Sequence, residues 1–171
     1  ANATVLTLYR PDGTSLGSVS CYTSGSGSCE WSSAGLPASG TYSMVVAPPA
    51  ASEIGAGTLA LSTPLAGAFI VGDPPQAVAI TRPGQTARFT FSGNAAQLLR
   101  LAWTSPVTSG GAGVAVSVLK PDGTTLASGS IANGVAGALD IASLPTTGTY
   151  TIVFDPASAA TMSATTSLVI R

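Results

Sequence analysis

Three short stretches of this chain carry residue types at spacings that enzymes and processing machinery use. Gly13-Thr14-Ser15-Leu16-Gly17 fits the G-x-S-x-G pattern, in which a strained strand-to-helix elbow presents a serine to a histidine base. The chain contains no histidine, which removes the commonest general base and a common metal ligand. Pro11-Asp12-Gly13 forms a turn tripeptide just before the serine, so the motif reads as a strand starting after a turn. Leu144-Pro145-Thr146-Thr147-Gly148 matches the LPxTG sorting pattern. A sorting signal is followed by a membrane-spanning tail and basic residues, whereas this stretch runs into an alternating strand. Its sister Leu36-Pro37-Ala38-Ser39-Gly40 lacks the threonine, and both read as turns. Asn2-Ala3-Thr4 is a glycosylation sequon, a tripeptide frequent by chance.

The ionisable side chains are sparse. The seven acids are Asp12, Glu30, Glu53, Asp73, Asp122, Asp140 and Asp155, and no two lie close in sequence. No paired carboxylates are indicated, and the pattern assigns no catalytic, cofactor-binding or metal-ligating residue. Six basic side chains leave a net charge of −1, too little positive charge to neutralise phosphates, so nucleic acid is not an expected partner. Leu65 to Val71 is the most apolar stretch outside the strands. It is too short to cross a bilayer, no signal peptide is visible, and membrane insertion is not expected.

Cys21 and Cys29 are the two cysteines, separated by the polar stretch Tyr-Thr-Ser-Gly-Ser-Gly-Ser. This is not a CxxC metal or redox spacing. A disulfide is the economical reading. Closing so short a loop is worth about 2.5 kcal/mol in the chain-entropy model, and the bond belongs to an oxidising compartment. Two free buried thiols are the alternative. Tyr22, inside the loop, is the best candidate for an exposed aromatic and hence for a ligand contact. Trp103 shares a face with Leu99 and Leu101, and Trp31 aligns with Leu139, so both tryptophans are expected in a core.

The elements that would position these residues are organised as a repeat. Leu8-Tyr9-Arg10-Pro11-Asp12-Gly13-Thr14 returns as Val118-Leu119-Lys120-Pro121-Asp122-Gly123-Thr124, an offset of 110. Leu36-Pro37-Ala38-Ser39-Gly40-Thr41-Tyr42 returns as Leu144-Pro145-Thr146-Thr147-Gly148-Thr149-Tyr150, an offset of 108. The two lost residues fall where the first copy carries its cysteine loop, as expected of a loop rather than a strand. Residues 1–63 therefore read as a partial module, the C-terminal half of a repeat. Residues 64–75, with Pro64, Pro74 and Pro75, read as a connector, and 76–171 as a complete module. With a period of about 109, about 47 residues are missing from the front of the first copy. Three explanations stand: a fragment of a longer tandem array, strands supplied by a neighbouring molecule, or two half-repeats closing on each other.

Alternation marks the strands. Tyr150, Ile152 and Phe154 share one face, and Tyr42, Met44 and Val46 do so in the first copy. Phe89 and Phe91 point together, opposite Arg88, Thr90 and Ser92. Leu99, Leu101 and Trp103 form another stripe, as do Val114, Val116 and Val118. Pro11-Asp12-Gly13 and Pro121-Asp122-Gly123 are expected to join consecutive antiparallel strands. Tyr42 and Tyr150 each follow Gly-Thr after a proline turn, where a tyrosine can bury its ring and return its hydroxyl to backbone at a sheet corner. No segment shows a sustained helical period. The fold class is all-β, built of antiparallel jelly-roll-like β-sandwich modules, one partial and one complete.

The order Gly84-Gln85…Phe89-Thr90-Phe91, the Leu99/Leu101/Trp103 strand, Val118-Leu119-Lys120-Pro121-Asp122-Gly123 and Leu144-Pro145…Gly148-Thr149-Tyr150-Thr151-Ile152-Val153 resembles the bacterial pre-peptidase C-terminal (PPC-like) domain. It also resembles repeats of large secreted or surface proteins, including Rhs-type proteins. The resemblance implies a jelly-roll-like sandwich with an accessory role in secretion, localisation, polysaccharide or matrix binding, or spacing. Some relatives bind calcium through clustered acids near the module's start. Here Asp73 stands alone in the connector, which speaks against calcium.

The expected function is a non-catalytic structural or spacer repeat of a large bacterial extracellular or cell-surface protein. Its partners would be adjacent repeats or neighbouring subunits. Two alternatives stand beside it: a self-assembling fibre or sheath subunit completed by a neighbour's strands, and a carbohydrate- or matrix-binding module with polysaccharide as partner.

Overall fold

The computed structural model describes residues 3–22, 29–33, 35–50, 57–157 and 160–171. They fall into two compact units, Ala1–Ala60 and Leu61–Arg171.

The first unit holds three strands: β1 (Ala3–Tyr9), β2 (Ser15–Tyr22) and β3 (Ser43–Ala47). They form one antiparallel sheet in the order β2-β1-β3. Pro11-Asp12-Gly13 turns the chain from β1 to β2 with Gly13 at φ +82°, a conformation that favours glycine. Asp12 fixes the turn: its Oδ1 accepts from the Thr14 amide at 2.9 Å and from the Thr14 hydroxyl at 2.6 Å.

The second unit is a two-sheet sandwich. Its strands are β4 (Leu65–Ala68), β5 (Gln76–Ile80), β6 (Ala87–Gly93), β7 (Leu99–Thr108), β8 (Val114–Leu119), β9 (Thr125–Ile131), β10 (Gly137–Ile141), β11 (Gly148–Pro156) and β12 (Met162–Ile170). One sheet runs β10-β7-β12-β5 and the other β4-β6-β11-β8-β9. The apolar positions of both sheets meet in one core. Phe89, Phe91, Leu101, Val116, Ile152 and Phe154 are all buried in it. Their neighbours Arg88, Thr90 and Ser92 are exposed, as a period of two requires of a sheet with one buried face. Burying one such large side chain is worth about 1.5–3 kcal/mol. Phe89 packs edge-on to Phe154 at a centroid distance of 6.1 Å, and Phe91 stacks on Tyr150 at 5.3 Å.

The two units share a local arrangement. β1 and β2 pair with Leu8 opposite Gly17 and Tyr9 opposite Ser15, the register shifting between Leu8 and Tyr9. β8 and β9 pair with Val118 opposite Ala127 and Leu119 opposite Thr125, shifting between Val118 and Leu119. Met44 of β3 faces Leu8, and Ile152 of β11 faces Val118. Each pair in the first unit corresponds to one in the second by the offsets of 110 and 108.

Some expectations change. Part of the expected connector is sheet. β4 runs parallel to β6, with Leu65 opposite Ala87 and Ala68 opposite Thr90, and Phe69 beyond it is buried. It is the parallel pairing in an otherwise antiparallel architecture, among the described residues. Pro64 lies just before it, where a missing amide costs the ladder nothing. In the first unit the expected face is only half closed. Tyr42 and Met44 are half-buried, while Val46 is 56% exposed.

Candidate functional site

The motifs that suggest chemistry are absorbed by turns. Ser15 opens β2 rather than a helix, and its carbonyl accepts from Arg10 Nη1 at 2.6 Å. In the LPxTG-like stretch, Leu144 is buried and its amide donates to the Gln97 carbonyl at 3.0 Å. Thr147 Oγ1 accepts from the Ala95 amide at 3.0 Å, and Gly148 begins β11. The Tyr150 hydroxyl donates to the Thr146 carbonyl at 2.6 Å, and the Tyr42 hydroxyl donates to the Ala38 carbonyl at 2.8 Å. Both tyrosines thus close sheet corners. The sequon falls partly outside the described residues, at Asn2.

Cys21 and Cys29 are joined by a disulfide, with Cα atoms 5.4 Å apart. The bond holds the end of β2 to the segment that carries Trp31. The Trp31 ring lies over Gly17 of β2, where a Cβ would stand 2.8 Å from its Cζ2. Only a glycine admits that approach. Trp31 is half-buried rather than enclosed. Tyr22, at the end of β2, is 55% exposed. Trp103 is buried, donates from Nε1 to the Val135 carbonyl at 3.3 Å, and lies over Gly137 in the same manner as Trp31 over Gly17.

Several of the charged groups form structural pairs. Arg100 of β7 and Asp140 of β10 are directly opposite, with Nε to Oδ1 at 2.6 Å and a second bond at 3.2 Å. Arg171 Nη1 approaches the same carboxylate at 3.4 Å. The Arg100 hydrogen bonds hold the Asp140 carboxyl below its ordinary value, and Arg171 adds to the effect. Sequence spacing concealed this cluster, because its members lie far apart along the chain. Asp122 is held low by the Thr124 hydroxyl and amide, as Asp12 is by Thr14. Among the described residues, no three His, Cys, Asp or Glu side chains come together to hold a metal.

One small cleft opens between β4 and β5, about 130 Å³ in volume. Its lining includes Phe69, Asp73, Pro74 and Gln76, and the Gln76 side chain is already bonded to the Ala68 carbonyl at 3.0 Å. Ligand pockets for drug-sized molecules run to about 300 Å³ or more, so the cleft is too small for one.

No family model matches the sequence. No curated protein matches it either. Solved structures give weak likenesses. The pre-peptidase C-terminal domain of collagenase from Bacillus anthracis has a TM-score of 0.47 at 11% identity, over 61% of this chain and 95% of that one. The periplasmic inhibitor of g-type lysozyme PliG from Aeromonas hydrophila has 0.41 at 12%, over 64% of this chain and 100% of that one. The infectious bursal disease virus Gx strain has 0.24 at 14%, over 98% of this chain and 52% of that one. At these scores the likeness assigns no activity.

Proposed function

We propose that the chain is a non-catalytic structural or spacer module of a large extracellular or cell-surface protein, made of repeated β-sandwich units. The matching register of β1-β2-β3 and β8-β9-β11 carries this reading. Two stretches of one chain that pair identically, down to the position of the bulge, are what a duplicated unit produces. The absence of histidine, the place of Ser15 at the start of strand β2 and the engagement of Thr146 and Thr147 in a sheet corner fit a chain selected for folding rather than chemistry. The disulfide fits an oxidising compartment, extracellular or periplasmic.

Single-molecule extension tests the reading. A spacer sandwich resists force and then yields in one step. For Leu61–Arg171 the released length is up to roughly 370–400 Å at about 3.3–3.6 Å per residue. A second unit that extends without a resisted step would overturn the spacer role.

Tyr22 favours a second reading, carbohydrate or matrix binding, because it is an exposed ring beside the disulfide. A glycan array decides it: binding that vanishes in Tyr22→Ala supports the reading, and no binding to any glycan ends it.

A further inference from the structure

In the second unit β11 is paired along both edges. β8 lies on one side and β6 on the other, with Tyr150 opposite Phe91, Ile152 opposite Phe89 and Val153 opposite Arg88. In the first unit β3 has the equivalent of β8, which is β1, in the same register. Its other edge has no strand beside it among the described residues of that unit.

The side chains differ too, because the second unit also carries the facing sheet β10-β7-β12-β5, which the described residues of the first unit lack. Tyr150, Ile152 and Phe154 are 0% exposed. Their counterparts Tyr42 and Met44 are only half-buried, and Val46 is 56% exposed. Beyond β11 the chain forms β12, held between β7 and β5. Beyond β3, residues 57–60 form no strand, and Leu59 is 58% exposed. An open edge beside an uncovered apolar face is a template for strand addition.

We propose that the free edge of β3 is an acceptor for one added strand, a β6-like segment from a copy of the repeat in which that segment has no β11 of its own to pair with. This rests on the reading of the chain as repeat modules. The register of the second unit specifies the occupant. An aromatic must face Tyr42, as Phe91 faces Tyr150. A large apolar residue must face Met44, as Phe89 faces Ile152. A small one must face Val46, as Ala87 faces Phe154. Polar residues alternate with these on the solvent side, as Arg88 and Thr90 do. A second copy of this same chain is a poor donor. Its own β6 is held between β4 and β11 with Phe89 and Phe91 in the core, so giving it up would dismantle its second unit.

The test uses the full chain and a synthetic peptide of residues 84–94, with a scrambled peptide as control. Hydrogen exchange is followed at β3 and β11. Binding should slow exchange at Ser43–Ala47 by about tenfold or more and leave Tyr150–Phe154 unchanged. Val45→Cys in the chain should form a disulfide with a peptide carrying Arg88→Cys, the pair equivalent to Val153 and Arg88. A peptide carrying Ser92→Cys should crosslink far less. No slowing at β3, equal crosslinking by the scrambled peptide, or exchange changes at β11 instead would each overturn the proposal. Concentration-dependent protection of β3 without peptide would overturn the chosen occupant in favour of a second copy of this chain. Loss of the acceptor leaves the resisted extension step of the second unit untouched, so the two readings fail separately.

Discussion

The Tyr150 hydroxyl donates to the carbonyl of Thr146, four residues earlier, at 2.6 Å. The bond ties the Leu144–Gly148 turn to the strand that follows it and uses a ring that is 0% exposed. Tyr150→Phe keeps the ring and removes the donor. It should cost about 1–2 kcal/mol, read as a lowered denaturant midpoint with an unchanged slope. The equivalent Tyr42→Phe, at an exposed turn, should cost less. Equal costs would mean that burial does not govern the strength of this corner.

Gly137 lies under Trp103, and a Cβ there would stand 2.9 Å from the indole Cζ2. The ring is buried and its Nε1 is committed to Val135, so it has little room to withdraw. Gly137→Ala should destabilise the second unit by about 1–3 kcal/mol. Gly129→Ala, where the nearest atom is 3.4 Å away, should be near neutral in thermal melts. The reverse order would show that the indole can move.

Three exposed carboxylates, Asp12, Asp122 and Asp140, have pKa values lowered from 3.8. The causes are the Thr14, Thr124 and Arg100 hydrogen bonds respectively. A lowered folded value means that the contribution is complete above 3.8 and is lost as pH falls through the lower folded values. Stability should therefore hold down to about pH 4 and decline below it. Asp140→Asn should flatten part of that decline in an acid titration followed by fluorescence. A decline that begins near pH 6 would point to other groups.

Reduction of the Cys21–Cys29 disulfide should weaken the first unit by about 2.5 kcal/mol. Amide exchange should speed up in β1 and β2 and stay unchanged in β11. Acceleration in β11 as well would mean that the two units do not respond separately.

Much of the second unit can be read from its residues. Phe89/Phe91, Leu99/Leu101/Trp103 and Tyr150/Ile152/Phe154 alternate cleanly because each strand buries one face. The turn tripeptides are equally legible, since proline and glycine impose their geometry locally. Leu65–Ala68 is not legible as a strand. Four small and apolar residues between prolines carry no period, and the parallel partner lies in β6. The Arg100–Asp140 pair is hidden for a related reason: it depends on which strands become neighbours, which spacing does not encode. In the first unit the stripe Tyr42, Met44, Val46 overstates the burial, because alternation reports which face could be covered and not whether a cover is present.

β12, the last strand of the second unit, sits inside its sheet, between β7 and β5. Among the described residues β5 has no other strand partner, so Gln76 and Ile80 wait for Thr166 and Met162. As the chain emerges from a ribosome or a translocation pore, the four-stranded sheet cannot be finished from its early strands alone. Contacts so distant in sequence make folding slow and leave it to the end of synthesis. Closure of the second unit is thus coupled to the arrival of its last strand.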